Sequence, residues 1–496
     1  MKVIGIAIGG TKSAVTLGEF RASSLTSIKK LTFKTTPNDY FNVLNNIDNC
    51  IKEFNEPFNY ISIICGGPLD AIKGTINNPP HLPGFNNVNI VEYFKDKYHV
   101  PVSLLNDADA CALAEYHYGA GINSKNLAFL TFGTGFGAGL ILNNQLYTGN
   151  NGMAGEVGHV KLSDDGPIGY GVKGSVEGWC AGGNIPLWAN IGINNTKDIF
   201  VLAKANDKKA LEVIDKLIDK LAQTAAILID ILNLDTIVIG GIYPRNLDLL
   251  EEKLKVKIKD YAISFNYKYC QVLPAKLGEK IDDYSSLMGY VKYMNNDNLF
   301  ARYPTLNSQK ENINQAIELL INCYKNGGKV LLCGNGGSAS DCAHIVGELM
   351  KGFKSKRPLK EKYTNIDSSI KDKLQLGIPA IDLTAHSALI SAFSNDVDPT
   401  LIYAQQVLAY ASNSPYDVLI GLSTSGNSLN VVKALEVAKS IGIKSIALTG
   451  NKDSKMSSIA SICIKAPETE TYKVQEYHLP IYHYICMEIE KQLFEE

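Results

Sequence analysis

The residues best suited to chemistry sit in two polar turns, each opening a helix. Residues 333–348 read CGNGGSASDCAHIVGE and follow the apolar run GGKVLLC. A strand, a glycine turn and a helix N-terminus in succession present several free backbone N–H groups at one point. That suits a phosphate or a polyhydroxylated sugar. Gly334, Gly336 and Gly337 permit positive φ and close approach, while Asn335 and Ser338 add polar groups at the mouth of the turn. His344 and Glu348 share a helix face, where an imidazole and a carboxylate can bind a metal or move protons. The bland alternative is a plain turn with a solvated His/Glu pair. The second stretch, IGLSTSGNSLNVV, gathers Ser423, Thr424, Ser425 and Ser428 around Gly426. Capping a helix takes one hydroxyl, so the others are available to cradle an anion without a Walker lysine.

A separate set of candidates lies earlier. The apolar strand at residues 2–8 runs into Gly9-Gly10-Thr11-Lys12, a glycine hairpin able to wrap phosphates. The strand VSLLN ends at Asn106-Asp107, where a helix begins at once. A carboxylate at the C-terminal tip of a strand points to the active-site edge of an α/β sheet, although capping is the commonest job for such an Asp. LAFLTFGTGFGAGLIL puts Gly133, Thr134 and Gly135 between two strands, and this hairpin setting argues against a dinucleotide fold. NNPPHLPGF is a rigid loop fit to wall a pocket.

The elements that must position these residues imply two α/β domains, as the length of 496 residues also suggests. Helical pattern from Asp198 to Leu234 leads to the buried strand TIVIGGI, and the helix SSLMGYVKYM closes a first domain, residues 1–295. A polar linker is expected over 296–307. The amphipathic helix NINQAIELLINCYKNGG then enters a second domain, residues 308–496. The charged segment 353–377 reads as a loop or flap over the second site. Composition is ordinary, with 45% apolar and 20% charged residues. A net charge of −2 implies no general attraction to nucleic acid, and no apolar run is long enough to span a membrane. The opening MKVIGIAIGG reads as a strand and a turn rather than a signal peptide. The ten cysteines lack CxxC pairs and read as buried free thiols of a cytoplasmic protein; Cys180 and Cys333, near candidate sites, carry no mark of a nucleophile.

The motifs CGNGGSAS, DCAHIVGEL, STSGNS and VQEYHLPIYH, in this order, resemble a SIS domain of the phosphoheptose isomerase type. The resemblance implies a doubly wound parallel α/β sandwich acting on a sugar phosphate, sedoheptulose 7-phosphate or a related heptose phosphate. It places the phosphosugar between Asn335, Gly336, Gly337, Ser338 and the serine loop, with Gln475. It implies Glu348 and His483 as acid and base, and a zinc-holding quartet of His344, Glu348, Gln475 and His483. Gln475 and His483 lie two helical turns apart, with His478 expected on much the same side. His386 stands where that family commonly has Asp, and Pro480 is expected to kink the last helix.

The motifs GIAIGGTK, NNPPHLPGF, NDADACALAE, LTFGTGFGAG, AGEVGHV and TIVIGGI resemble the ROK family of sugar kinases, which implies an actin/hexokinase-like fold. By that resemblance Asp107 is the base for phosphoryl transfer from ATP, with Mg²⁺ on the phosphates. Gly9, Gly10, Thr11, Lys12, Gly133, Thr134 and Gly135 hold the phosphates, and Gly240 and Gly241 lie by the adenosine. His81, Asn106, Glu156, His159 and Glu177 contact the sugar. The chain departs from the family at Ala7, where an Asp helps organise Mg²⁺, and at His81, where Asn is usual. Ile168, Tyr170 and Ser175 stand in place of three zinc thiolates, so no zinc is expected in this domain. A DNA-binding helix-turn-helix is not expected.

Together these readings imply a bifunctional enzyme acting on sugars and sugar phosphates, a homo-oligomer through its SIS domain. The rival reading is a phosphosugar-sensing regulatory protein whose kinase domain Ala7 has disabled.

Overall fold

The computed structural model describes the chain except residues 22–23, 297–298, 360–362, 364, 412–413 and 495–496, and the side chains of 295, 296 and 301. The chain divides into two compact units, Met1–Asn296 and Asp297–Glu496.

Two five-stranded sheets of identical plan build the first unit. One runs Ser24–Lys34, Lys12–Arg21, Lys2–Ile8, Tyr60–Cys65, Val102–Asn106; its first three strands are antiparallel and the rest join in parallel. The other runs Gln145–Tyr147, Phe136–Leu142, Leu127–Phe132, Thr236–Ile239, Gln271–Pro274 in the same sense. Sequence accounts for the difference between the strands. YISIIC and TIVI are dominated by apolar residues and are wholly buried, as parallel strands covered by helices must be. SLTSIKKLTFK, at the edge, alternates and carries lysines that blunt further pairing. The tips of Val102–Asn106 and of the Leu127–Phe132 hairpin deliver Asp107 and Gly133–Gly135 to one cleft.

The second unit is a single parallel sheet ordered Ala380–Asp382, Val330–Cys333, Val418–Leu422, Lys444–Thr449, Ile462–Lys465. Numbered by position in the chain this is 2-1-3-4-5, so the order reverses between Val330–Cys333 and Val418–Leu422. Ligands of such sheets bind in the crevice at that reversal. The glycine turn follows the first of these two strands and the serine loop follows the second.

The stretch expected as a polar linker, 296–307, contains the helix Leu299–Arg302 and most of the 3-10 turn Pro304–Gln309. Leu299, Phe300 and Leu306 are buried in the core of the second unit, and their apolar burial draws the stretch in. The expected flap covers residues 360–362 and 364, which lie outside the described residues.

The start of that segment is tied down by a buried ion pair. Arg357 Nε donates to Glu490 Oε1 at 2.7 Å, with both side chains at most 1% exposed. Its guanidinium also donates to the carbonyls of Leu349 and Glu348, the last turn of helix Gly337–Met350. Glu490, on helix Thr471–Phe494, accepts the backbone N–H groups of Phe353, Lys354 and Ser355. Burial pushes the Glu490 carboxyl up, but these four hydrogen bonds outweigh it and hold it below its ordinary value.

Glu490→Gln leaves a buried guanidinium uncompensated and should cost about 3–5 kcal/mol. Hydrogen exchange should show faster opening of Gly337–Met350 and Thr471–Phe494 and no change in residues 1–296. Because the folded pKa is depressed, this stabilisation is complete above the unfolded value of about 4.3 and is lost as pH falls through the folded value. Equal protection in wild type and variant across that window would refute the assignment.

Candidate functional sites

The first unit holds a cleft of about 640 Å³. Its walls bring together Gly9, Gly10, Thr11, His81, Asn106, Asp107, Gly133, Thr134, Gly135, Glu156, His159 and Glu177, twelve of the residues singled out from the sequence. Gly10 must be glycine because a Cβ there would lie 2.6 Å from the Cβ of His81, so the first turn presses directly on the proline-rich loop. Asn106, not Asp107, is the helix cap; Asp107 Oδ1 shares the Ala108 N–H at 2.8 Å. Its Oδ2 lies 3.7 Å from where a Cβ on Gly66 would stand. Glu177 Oε2 accepts Phe136 N–H at 2.6 Å, locking the carboxylate beneath the second glycine turn. Desolvation by the surrounding protein pushes the carboxyls of Asp107, Glu156 and Glu177 up from their ordinary values. It pushes buried Asp109, two residues after Asp107, to about 7. Acids perturbed together at one cleft mark a functional site.

Three candidates fall outside this cleft. Lys12 lines an adjoining cavity of about 360 Å³ that also reaches Asp107, Ala7, Lys30 and Asp282. Gly240 and Gly241 follow the strand Thr236–Ile239, where a Cβ on Gly241 (φ 64°) would strike the Phe132 carbonyl at 1.9 Å. They shape the base of the second glycine turn. The positions lacking thiolates have other structural work. Ser175 caps the helix Val176–Cys180 and donates to Gly169 O, and the Tyr170 ring packs edge-on against His159. Cys180 and Cys333 are fully buried and their thiols are raised by desolvation, which makes them inert.

In the second unit only Gly336 of the three turn glycines has positive φ, at 57°. The other two are needed for space: a Cβ on Gly337 would come within 2.3 Å of Gln475 Nε2, and one on Gly334 within 2.8 Å of Ser338 O. Gln475 therefore lies over the helix start. Asn335 and Asn430 exchange amide hydrogen bonds of 2.9 and 3.0 Å, tying the glycine turn to the helix after the serine loop. Ser428 occupies the cap position without a capping bond and instead meets Ser423 Oγ at 2.9 Å. The hydroxyls of the loop thus lie bunched between the strand Val418–Leu422 and the helix Leu429–Ser440, with Ser425 within 3.4 Å of Ser423.

Across from them, helix Gly337–Met350 meets helix Thr471–Phe494, which continues unbroken through buried Pro480. His344 Nε2 lies 3.3 Å from Glu348 Oε1 and 3.4 Å from His483 Nε2. Desolvation and the facing His344 lower the His483 pKa. His478, expected beside Gln475, points instead into the core: it is buried, contacts Thr449 O at 3.3 Å and is pushed down to about 4. His386 pairs with Tyr410 OH at 3.1 Å. Two contributors went unread in the sequence. Tyr482 OH contacts His344 Nδ1 at 3.0 Å and Asp341 Oδ1 at 3.3 Å, holding the imidazole from behind. Asp341 stands one turn before His344, and Tyr482 directly precedes His483; that adjacency was the only signal. Among the described residues no group of three or more His, Cys, Asp or Glu side chains is arranged to hold a metal ion.

Paired three-plus-two sheets around an acidic cleft define a kinase of the actin/hexokinase type, and the 2-1-3-4-5 sheet with its two anion turns defines a phosphosugar-binding α/β domain. Residues 3–295 match the ROK family and residues 297–450 match the SIS domain. A ROK hexokinase from Thermus thermophilus superposes with a TM-score of 0.53 at 26% identity, covering 59% of this chain and 99% of that one. The phosphoheptose isomerase of Thermodesulfovibrio yellowstonii is 39% identical over 183 residues, which is 37% of this chain and 81% of that protein. Phosphoheptose isomerase 2 of Campylobacter jejuni is 41% identical over 181 residues, 36% and 80% of the two chains. The chain belongs to the ROK family and, over its second unit, to the phosphoheptose isomerases: it is a kinase fused to an isomerase. Among the described residues no helix is long and apolar enough to cross a membrane.

Tyr482→Phe keeps the ring but removes the hydroxyl between His344 and Asp341. Isomerase turnover should fall about 10-fold, in the range typical for residues that orient a catalytic imidazole, while ATP-dependent activity stays unchanged. Wild-type isomerase rates in the variant would show the contact to be incidental.

Proposed function

We propose that the first unit phosphorylates a free sugar with ATP and that the second isomerises a ketose phosphate to an aldose phosphate of heptose type, such as sedoheptulose 7-phosphate. The gathering of twelve sequence-selected residues in one 640 Å³ cleft carries the kinase half. Asp107 takes the proton from the attacking sugar hydroxyl; its raised pKa makes it a better base than an ordinary carboxylate. His81, Asn106, Glu156, His159 and Glu177 hold the sugar hydroxyls, and the two glycine turns hold the phosphates. Asp282, Thr131 and Ser285, which line the adjoining cavity beside Ala7, are hard oxygen donors that would hold Mg²⁺. There the ion would supply neutralisation of phosphate charge, with Asp282 as a carboxylate in place of the one that position 7 lacks.

In the second unit the serine loop and the glycine turn receive the phosphate. Glu348 and His483 then move one proton between adjacent carbons through a cis-enediol. Their convergence on His344 Nε2 supports this pairing, and the lowered His483 pKa keeps its imidazole neutral and able to accept a proton at neutral pH. Zinc binding by His344, Glu348, Gln475 and His483 rests on donor chemistry alone. The proton shuttle is complete without it. The order of steps follows from charge. The hydroxyl-rich helix start satisfies a phosphate dianion, and a free sugar leaves those donors without their charged partner. The kinase thus makes the kind of ester that the isomerase takes.

A one-pot incubation with ATP, Mg²⁺ and candidate sugars, followed by NMR, tests the assignment. Wild type should yield an isomerised sugar phosphate. Glu348→Gln should stop at the first phosphate ester, and Asp107→Asn should make none yet still isomerise added sugar phosphate. Tight binding of sugar phosphate with no turnover in either unit would favour a sensor over an enzyme.

Metal analysis checks the zinc reading. Purified protein should carry about one zinc-class ion per chain, lost in His344→Ala. Metal retained by that variant would exclude these ligands.

A further inference from the structure

The segment 168–173 contains a conformation that its sequence does not favour. Strands Ile168–Gly169 and Val172–Lys173 pair Ile168 with Lys173 and Gly169 with Val172, leaving a two-residue turn of Tyr170 and Gly171. Both have positive φ, 52° and 81°. A two-residue turn with positive φ at both positions calls for Asn-Gly or Asp-Gly. Tyrosine there is strained, and such strain gathers at working sites. The other left-handed non-glycine residues are asparagines, apart from His99 at a helix end.

Three observations show where the strained residue is aimed. Tyr170 lines the kinase cleft together with His81, Glu156, His159 and Glu177. Its ring centroid lies 4.6 Å from that of His159, at an interplanar angle of 68°. Burial first, and then Glu156 and Glu177, which line the cleft with it, push its hydroxyl pKa up. The arm carrying it is fixed at its base. Ser175 Oγ donates to Gly169 O at 3.1 Å and accepts Gly178 N–H at 3.1 Å, and Gly174 N–H donates to Pro167 O at 2.9 Å. A Cβ on Gly169 would lie 2.2 Å from Gly178 N, so the hairpin is packed hard against the helix that carries Glu177.

We propose that Tyr170 is a specificity-determining residue of the kinase, which closes the sugar end of the cleft with its ring and orients His159 toward the sugar hydroxyls. The inference rests on the kinase reading of that cleft. A hairpin stitched by hydrogen bonds does the holding, and the aromatic ring adds an apolar wall. The substrate it fits is a sugar that offers a C–H face beside the hydroxyls bound by Glu156, Glu177 and His159. An aromatic ring adds contact of this kind at little entropic cost.

The test uses full-length protein and a panel of free aldohexoses, ketohexoses and heptoses, taking the sugar that wild type phosphorylates at lowest KM. Tyr170→Asn installs the residue this turn prefers, so it should fold at least as well, with an equal or higher Tm. It should nevertheless raise sugar KM about 3- to 10-fold, with a smaller change in kcat and no change in KM for ATP. It should also narrow the KM gap between the best sugar and its epimers. Tyr170→Phe, which keeps the ring, should recover most of the sugar KM. If wild type is active and Tyr170→Asn keeps both KM and epimer preference, the role given to Tyr170 is wrong and the kinase reading stands. If wild type phosphorylates no sugar of the panel, the kinase reading fails and this proposal falls with it.

Discussion

Glu490 is the fixed point of the second unit. Its carboxylate gathers three backbone N–H groups and the Arg357 guanidinium, and that guanidinium turns back to the open carbonyls at the end of helix Gly337–Met350. A helix terminus, the segment after it and the last helix are thereby joined through one buried charge pair. Buried pairs of this kind add little net stability but penalise every arrangement that separates them. Here the arrangement enforced is the one that matters. His344 and Glu348 sit on the first helix and His483 on the other, and the 3.4 Å contact between His344 and His483 exists only while the two helices hold this register.

The same logic of fixed strand tips governs the kinase cleft by other means. Asp107 is placed by the end of a buried parallel strand, and Glu177 is held by a backbone N–H of the facing hairpin. Glycines remove the Cβ atoms that would keep these turns apart, as at Gly10 against His81 and Gly241 against Phe132. Rigid backbone carries the acids into a setting that disfavours their charged form, and the raised carboxyls follow.

Much of this was legible in the sequence because it lay in local pattern. Apolar runs ending in glycine turns gave the strand-to-helix junctions, and the spacing of His344, Glu348, Gln475 and His483 gave the helix faces. Three kinds of feature were not legible. Pairing across long separations was one: Arg357 and Glu490, or Asp341 and Tyr482, are joined only by the fold. Facing was another: His478 shares a helix side with Gln475 on a rough projection, yet the real phase turns it into the core against Thr449. The third was duplication. The two sheets of the first unit share one plan although their strands share no motif, since topology requires only apolar runs and crossovers of suitable length. The short helices within the expected linker were missed for a related reason, because a few apolar residues such as Leu299, Phe300 and Leu306 outweigh a polar average.

The charge pattern around both sites bears on how phosphate is held. Among the described residues lining the kinase cleft are the carboxylates of Asp107, Glu156 and Glu177, and neither lysine nor arginine. The serine loop likewise offers hydroxyls and N–H groups without a cation of its own. Neutral donors of this kind can still hold a phosphate dianion firmly, since a hydrogen bond to an ionised acceptor is among the strong ones. In the kinase the acids would repel a nucleotide unless a cation screens them, which ties phosphate binding to metal and places Lys12 and Lys30 in the neighbouring cavity rather than among the sugar ligands. Two unrelated folds thus place the same device at their candidate sites, a tight turn opening onto a helix or hairpin.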